Sequence, residues 1–99
     1  MIAIHKIDGQ YRPVILCDYC GTVIDDALKG MQLSSSAPEG ATAQALYVHK
    51  GDCEQAMSIK LGASLGSEEL SIHLLELIRN TLGKSDVQSV KSALDWAED

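Results

Sequence analysis

Apolar and polar residues alternate through MIAIHKI, which sets Ile2 and Ile4 on one side of an extended chain. Asp8-Gly9 follows, and then a second β-rich run, QYRPVIL. An Asp-Gly pair between two such runs predicts a hairpin, because both turn positions need positive φ. Pro13 has no N–H to give and must face away from the partner strand. After Cys20-Gly21, TVID reads as a short strand and DDALKG as a single helical turn closed by Gly30. GMQLSSS and TAQALYVH then flank APEG and predict a second hairpin, with Pro38 at the second position of a tight turn and Gly40 at the fourth. Tyr47 and His49 fall on the same face of its second strand.

From HKGDCEQAMSIKLG onward the pattern becomes helical. Asp52 with Gln55 three residues on makes a capping box, and Gly62 stands where a C-terminal cap belongs. ASLGS is a connector of small residues and the natural boundary in the chain. Beyond it Ser67 is expected to cap EELSIHLLELIRNTL, ending at Gly83, and Ser85 with Gln88 to cap a last helix. Leu70, Leu74, Leu75, Leu77, Ile78 and Leu82 span an arc of about 160° at 100° per residue, wider than a minimal core stripe. In the last helix Val87, Val90, Ala93, Leu94 and Ala97 form one stripe, with Trp96 opposite Val87.

These patterns predict an α+β fold. Residues 1–62 form a β-rich module and residues 63–99 a helical hairpin packed on it as one compact domain. The length of 99 residues fits that reading. Phe is absent, so aliphatic residues must build the core. A formal charge of −6 with no basic run disfavours binding to nucleic acid. No segment approaches the length of a membrane span, and the first residues hold no apolar run of signal-peptide length. Three cysteines cannot all pair within one chain, which points to reduced thiols and a cytoplasmic setting.

All three of those cysteines fall in two short stretches, CDYCG and HKGDC. Cys17 and Cys20 have metal-knuckle spacing, and Gly21 lets the backbone turn left-handed behind them. His49 at a strand end and Cys53 in the first turn of a helix supply two more ligands. The helix N-terminus there favours a thiolate. A tetrahedral site of Cys17, Cys20, His49 and Cys53, holding one Zn²⁺ per chain, follows from residue type and spacing. Four protein ligands leave no position for a catalytic water, so the zinc reads as structural. Iron is chemically possible, although a histidine in a closed site leans toward zinc.

Knuckle, hairpin and helix, with the second ligand pair at the hairpin-to-helix junction, resemble the treble-clef class of zinc fingers over residues 14–62. The resemblance implies a metal site and little about function. A thioredoxin-like reading would instead make Cys17 and Cys20 a redox dithiol and GTVIDDALKG a helix. Against it, GTVID is β-rich, and neither Pro13 nor Pro38 sits at the start of a later strand. Buried free thiols beside a satisfied histidine are the remaining alternative.

Asp25-Asp26 suits a turn or helix cap better than a second metal site. His5 and His73 read as surface or core-edge residues, and no catalytic constellation emerges. The expected function is therefore a zinc-stapled protein-interaction module, with a thiol-based redox switch or dithiol oxidoreductase as the alternative. The broad leucine arc adds an expected partner, either another protein or a second copy in a homodimer through residues 67–98.

Overall fold

The computed structural model describes residues 1–35, 38–62 and 65–82. Among these residues it is an α+β fold of antiparallel strands and two α-helices. The first sheet is an arm of two strands, β1 (Ile2–Ile7) and β2 (Gln10–Ile15), paired from Ile2–Ile15 to Ile7–Gln10. Asp8 and Gly9 both take positive φ, 52° and 81°, as the Asp-Gly signal requires. The two-residue turn makes Ile7–Gln10 a hydrogen-bonded pair. Alternate pairs follow from there, and Ile4–Pro13 falls where neither residue bonds across the arm. The missing N–H of Pro13 is thus harmless.

TVID forms no strand of its own, and only Val23 bridges back to Leu16. A 3-10 turn, Ala27–Lys29, follows, with Leu28 N–H donating to the Asp26 carboxylate at 2.9 Å. Gly30 ends it and opens β3 (Gly30–Ser35), which pairs antiparallel with β4 (Ala45–His49). The turn before β4 sits one residue away from its expected place. Ala41 N–H donates to Pro38 C=O at 3.0 Å, which puts Pro38 first and Gly40 third, at φ 84°. Positive φ belongs at the third position of a type II turn, so the glycine fixes the frame. Thr42–Gln44 stay outside the strand.

β5 (Leu65–Glu69) pairs with the other side of β3, giving the order β4-β3-β5. The connector reading of ASLGS is corrected here, because Leu65, Gly66 and Ser67 lie in that strand. Ser67 pairs with Leu33 and caps no helix. The LGSEE run has no apolar alternation, and its extended form comes from the open edge of β3.

α1 (Asp52–Leu61) also starts differently from the capping-box reading. Gly51, at φ 87°, is the N-cap, with no side-chain cap bond, and its C=O accepts from Gln55 N–H at 2.9 Å. Positive φ turns the chain sharply out of β4, so the helix begins one residue early and Asp52 joins its first turn. Gly62 closes α1 in the left-handed conformation, as expected. α2 (Leu70–Leu82) runs directly out of β5.

The core lies where α1 and α2 meet the second sheet: Leu33, Val48, Met57, Leu70, Ile24 and Cys17 are buried. Gly30 is the contact point of α2. A Cβ there would stand 2.5 Å from Leu70 Cδ2 and 3.1 Å from Ile24 Cγ2. Of the leucine arc, Leu70 is buried and Leu74 packs on the core, while Leu75 is 67% exposed. The expected last helix, with Ser85, Gln88 and Trp96, lies outside the described residues.

Candidate metal centre

Backbone bonds build the knuckle before any metal is considered. Cys17 leaves the arm with its N–H donating to Thr22 C=O at 2.8 Å. Gly21 N–H returns to Cys17 C=O at 2.9 Å, with Gly21 at φ 80°. The loop is fastened to β4 through Asp18. Its N–H donates to Tyr47 C=O at 2.6 Å, and its carboxylate accepts from Tyr47 N–H at 2.8 Å. His49, two residues further along β4, is thereby carried to the knuckle. The Gly51 turn then brings Cys53 round on the first turn of α1.

The ligand atoms of Cys17, Cys20, His49 and Cys53 all lie within 4.8 Å of one another. Bonds of about 2.3 Å to sulfur and 2.0–2.1 Å to nitrogen imply tetrahedral edges of roughly 3.5–3.8 Å. The set is close enough to hold one metal ion with small side-chain adjustments. Cys20 Sγ and His49 Nδ1 are 3.5 Å apart, already at such an edge. On the other side of the imidazole, Nε2–H donates to Val23 C=O at 3.3 Å. That bond fixes the tautomer and turns the Nδ1 lone pair toward the sulfurs, the arrangement that orients a metal-binding histidine.

The thiols differ in environment. Cys17 is 2% exposed, and burial alone would raise its pKa. N–H groups of Cys20, His49 and Tyr19 point at its sulfur and win, bringing it to about 7. Cys20 is exposed and lies below its ordinary value because the Thr22 hydroxyl, 3.1 Å away, and the Thr22 backbone bond its sulfur. Cys53 is pushed up to about 11 by burial and by the two neighbouring sulfurs. The favourable helix N-terminus expected there is outweighed by this crowding. Three thiolates this close repel one another, and a cation among them reverses the sign of the interaction. Cys17, Cys20 and Cys53 are all unbridged.

Asp26 is a cap and Asp25 is exposed, away from the cluster. His5 pairs with Arg12 in the arm. His73 is more than a surface residue. Its Nε2 lies 3.2 Å from the Tyr47 hydroxyl, and its Nδ1 lies 3.4 Å from Glu68 Oε1. This polar chain joins α2, β5 and the ligand-bearing strand, and nothing in residue spacing announces it. Asp18 is equally hidden, since its bonds to Tyr47 link residues 29 apart in the chain. No family model, curated protein or solved structure matches the chain. Among the described residues no helix is long and apolar enough to cross a membrane.

Proposed function

We propose that this protein is a structural-zinc module of treble-clef type that works through contacts with another protein. The observation carrying this reading is the convergence of three sulfurs and one imidazole nitrogen, from two distant chain segments, within 4.8 Å. Four such donors satisfy tetrahedral zinc and leave no site for an activated water. The mixed sulfur and nitrogen set favours zinc over iron. His49 Nε2 is occupied by Val23, so the imidazole has no face left for acid–base work. Zinc would be held by Cys17, Cys20, His49 and Cys53 and would join the knuckle to the β4–α1 corner. The outward side of α2, with Ile72 and Leu75 exposed, supplies the contact surface for a protein partner in a reducing compartment such as the cytoplasm.

A second reading is a thiol switch at Cys17 and Cys20, favoured by the depressed Cys17 thiol beside an exposed cysteine. Elemental analysis of protein purified without added metal separates the two. About one zinc per chain, lost in Cys17→Ser and Cys53→Ser, supports the structural module. A metal-free protein with a reversible dithiol potential between −180 and −320 mV, roughly the span of cellular poises, supports the switch.

A further inference from the structure

We infer that the metal centre is redox-gated through Cys20. A hydroperoxide attacks that sulfur, Cys17 closes a disulfide onto it, and the ion is no longer held. The inference rests on the zinc reading above and names how that same site is regulated.

The cluster is sealed from solvent on one side only. Cys17 is 2% exposed, and N–H groups of Cys20, His49 and Tyr19 point at its sulfur. Cys53 is half-buried at the start of α1. Cys20 is exposed, and so are Tyr19, Gly21 and Thr22 around it. A Cβ at Gly21 would meet no atom within 4 Å, so the tip of the knuckle opens directly to solvent. The Thr22 hydroxyl, 3.1 Å from Cys20 Sγ, bonds that sulfur from within the same exposed loop. Oxidation of cysteine follows thiolate character and access, and a metal keeps its sulfur ligands as thiolates. Access therefore singles out Cys20 among three equivalent donors.

Charge narrows the oxidant. The chain carries −6, and Asp18 adds a carboxylate to the knuckle itself, which disfavours an anionic disulfide and leaves a small neutral hydroperoxide. Its O–O bond breaks as the Cys20 thiolate takes one oxygen, giving a sulfenic acid and one hydroxide. The Cys17 thiolate then attacks the Cys20 sulfur, forming S–S and expelling a second hydroxide. Two thiolates have lost two electrons and the peroxide has gained them. Cys17 is the resolving thiol because it shares the loop, and Cys20 N–H already donates to Cys17 Sγ at 3.5 Å. Cys53 stands on a separate element.

His49 and Cys53 remain as donors, one nitrogen and one sulfur, half of what tetrahedral zinc takes. The tie between the knuckle and the β4–α1 corner is lost with the other two. A dithiol reductant opens the new disulfide by exchange and returns all four donors.

The test uses the full chain, its zinc counted by elemental analysis before any oxidant is added. Hydrogen peroxide is then titrated in with a chromogenic zinc chelator present, and parallel samples receive dimedone before peptide mapping. The expected result is about one zinc released per peroxide consumed, dimedone first on Cys20, and a Cys17–Cys20 disulfide as product. Dithiothreitol should restore binding. Cys20→His, which offers an imidazole in place of the oxidisable sulfur, should release zinc at least about tenfold more slowly. If that variant fails to fold, the labelled residue in the parent decides. A chain without zinc at the outset overturns the zinc reading and this inference with it. Zinc that stays bound while the same peroxide oxidises free glutathione overturns the inference alone. So does first labelling at Cys17 or Cys53, or a disulfide other than Cys17–Cys20.

Discussion

Asp18 bonds both main-chain groups of Tyr47, donating to its carbonyl at 2.6 Å and accepting from its N–H at 2.8 Å. One knuckle residue thus serves as a fourth strand beside β4 and sets the distance from Cys17 and Cys20 to His49. Tyr47 carries the connection onward through its hydroxyl, which meets His73 on α2. Burial, and then the Asp18 carboxylate, raise the Tyr47 pKa, so its phenol stays protonated for that bond.

Replacing Asp18 with alanine is expected to lower stability by about 1–3 kcal/mol, because the half-buried Tyr47 N–H loses its acceptor. Metal affinity should fall with it, since the knuckle is no longer held at β4. Urea unfolding and a competitive chelator titration measure the two effects. An Asp18→Ala protein equal to the parent in both would show that the contact holds nothing.

Chelating the metal is expected to abolish hydrogen-exchange protection in the knuckle, β4 and the start of α1. The loss should extend to residues 65–74, because β5 pairs with β3 and Leu70 sits on Gly30. Protection of β5 and α2 that survives chelation untouched would show the two halves to be independent.

Metal uptake should release protons and weaken as pH falls. Binding takes thiolates, and Cys53, raised to about 11, is protonated at neutral pH, as is part of Cys17 at about 7. At pH 7 each metal ion should displace at least about one proton, and apparent affinity should rise with pH from about 6 to 9. Calorimetry in buffers of different ionisation enthalpy counts the protons. Uptake that releases none would mean that Cys53 is not a ligand.

At Gly30 an alanine methyl would meet Leu70 at 2.5 Å and Ile24 at 3.1 Å. Gly30→Ala should therefore cost about 1–3 kcal/mol, the usual penalty of overpacking. Leu70→Ala removes a core side chain and is costly itself, but in the double variant the combined loss should fall short of the sum, because the smaller side chain makes room for the methyl. Thermal unfolding of the single and double variants checks this, and strictly additive losses would argue against the steric account.

The ligand cluster and the arm were legible because their signals are local. Asp8-Gly9 and Cys17-x-x-Cys20-Gly21 each demand positive φ at fixed offsets, and any fold must honour them. β5 was not legible, since Leu65–Glu69 is extended only because β3 offers an edge. The same limit explains the displaced start of α2, for a β-paired Ser67 cannot cap a helix. Asp52 has good capping chemistry, but Gly51 takes the position through a backbone angle that composition does not reveal. The Tyr47–His73–Glu68 chain joins residues far apart in sequence, and only packing brings them together.

Cys20 and His49 have 28 residues between them, and the 3-10 turn, β3 and most of β4 lie inside that interval. An ion shared by the two residues acts on the unfolded chain as a removable crosslink. Tying a loop of about 30 residues restricts the disordered ensemble by roughly 3–4 kcal/mol on a chain-entropy estimate, provided the tie persists on unfolding. The loop includes the central strand of the second sheet. Binding that outlasts unfolding would preorganise β3 and β4 for pairing, so metal concentration should govern how fast the sheet forms as well as how long it lasts.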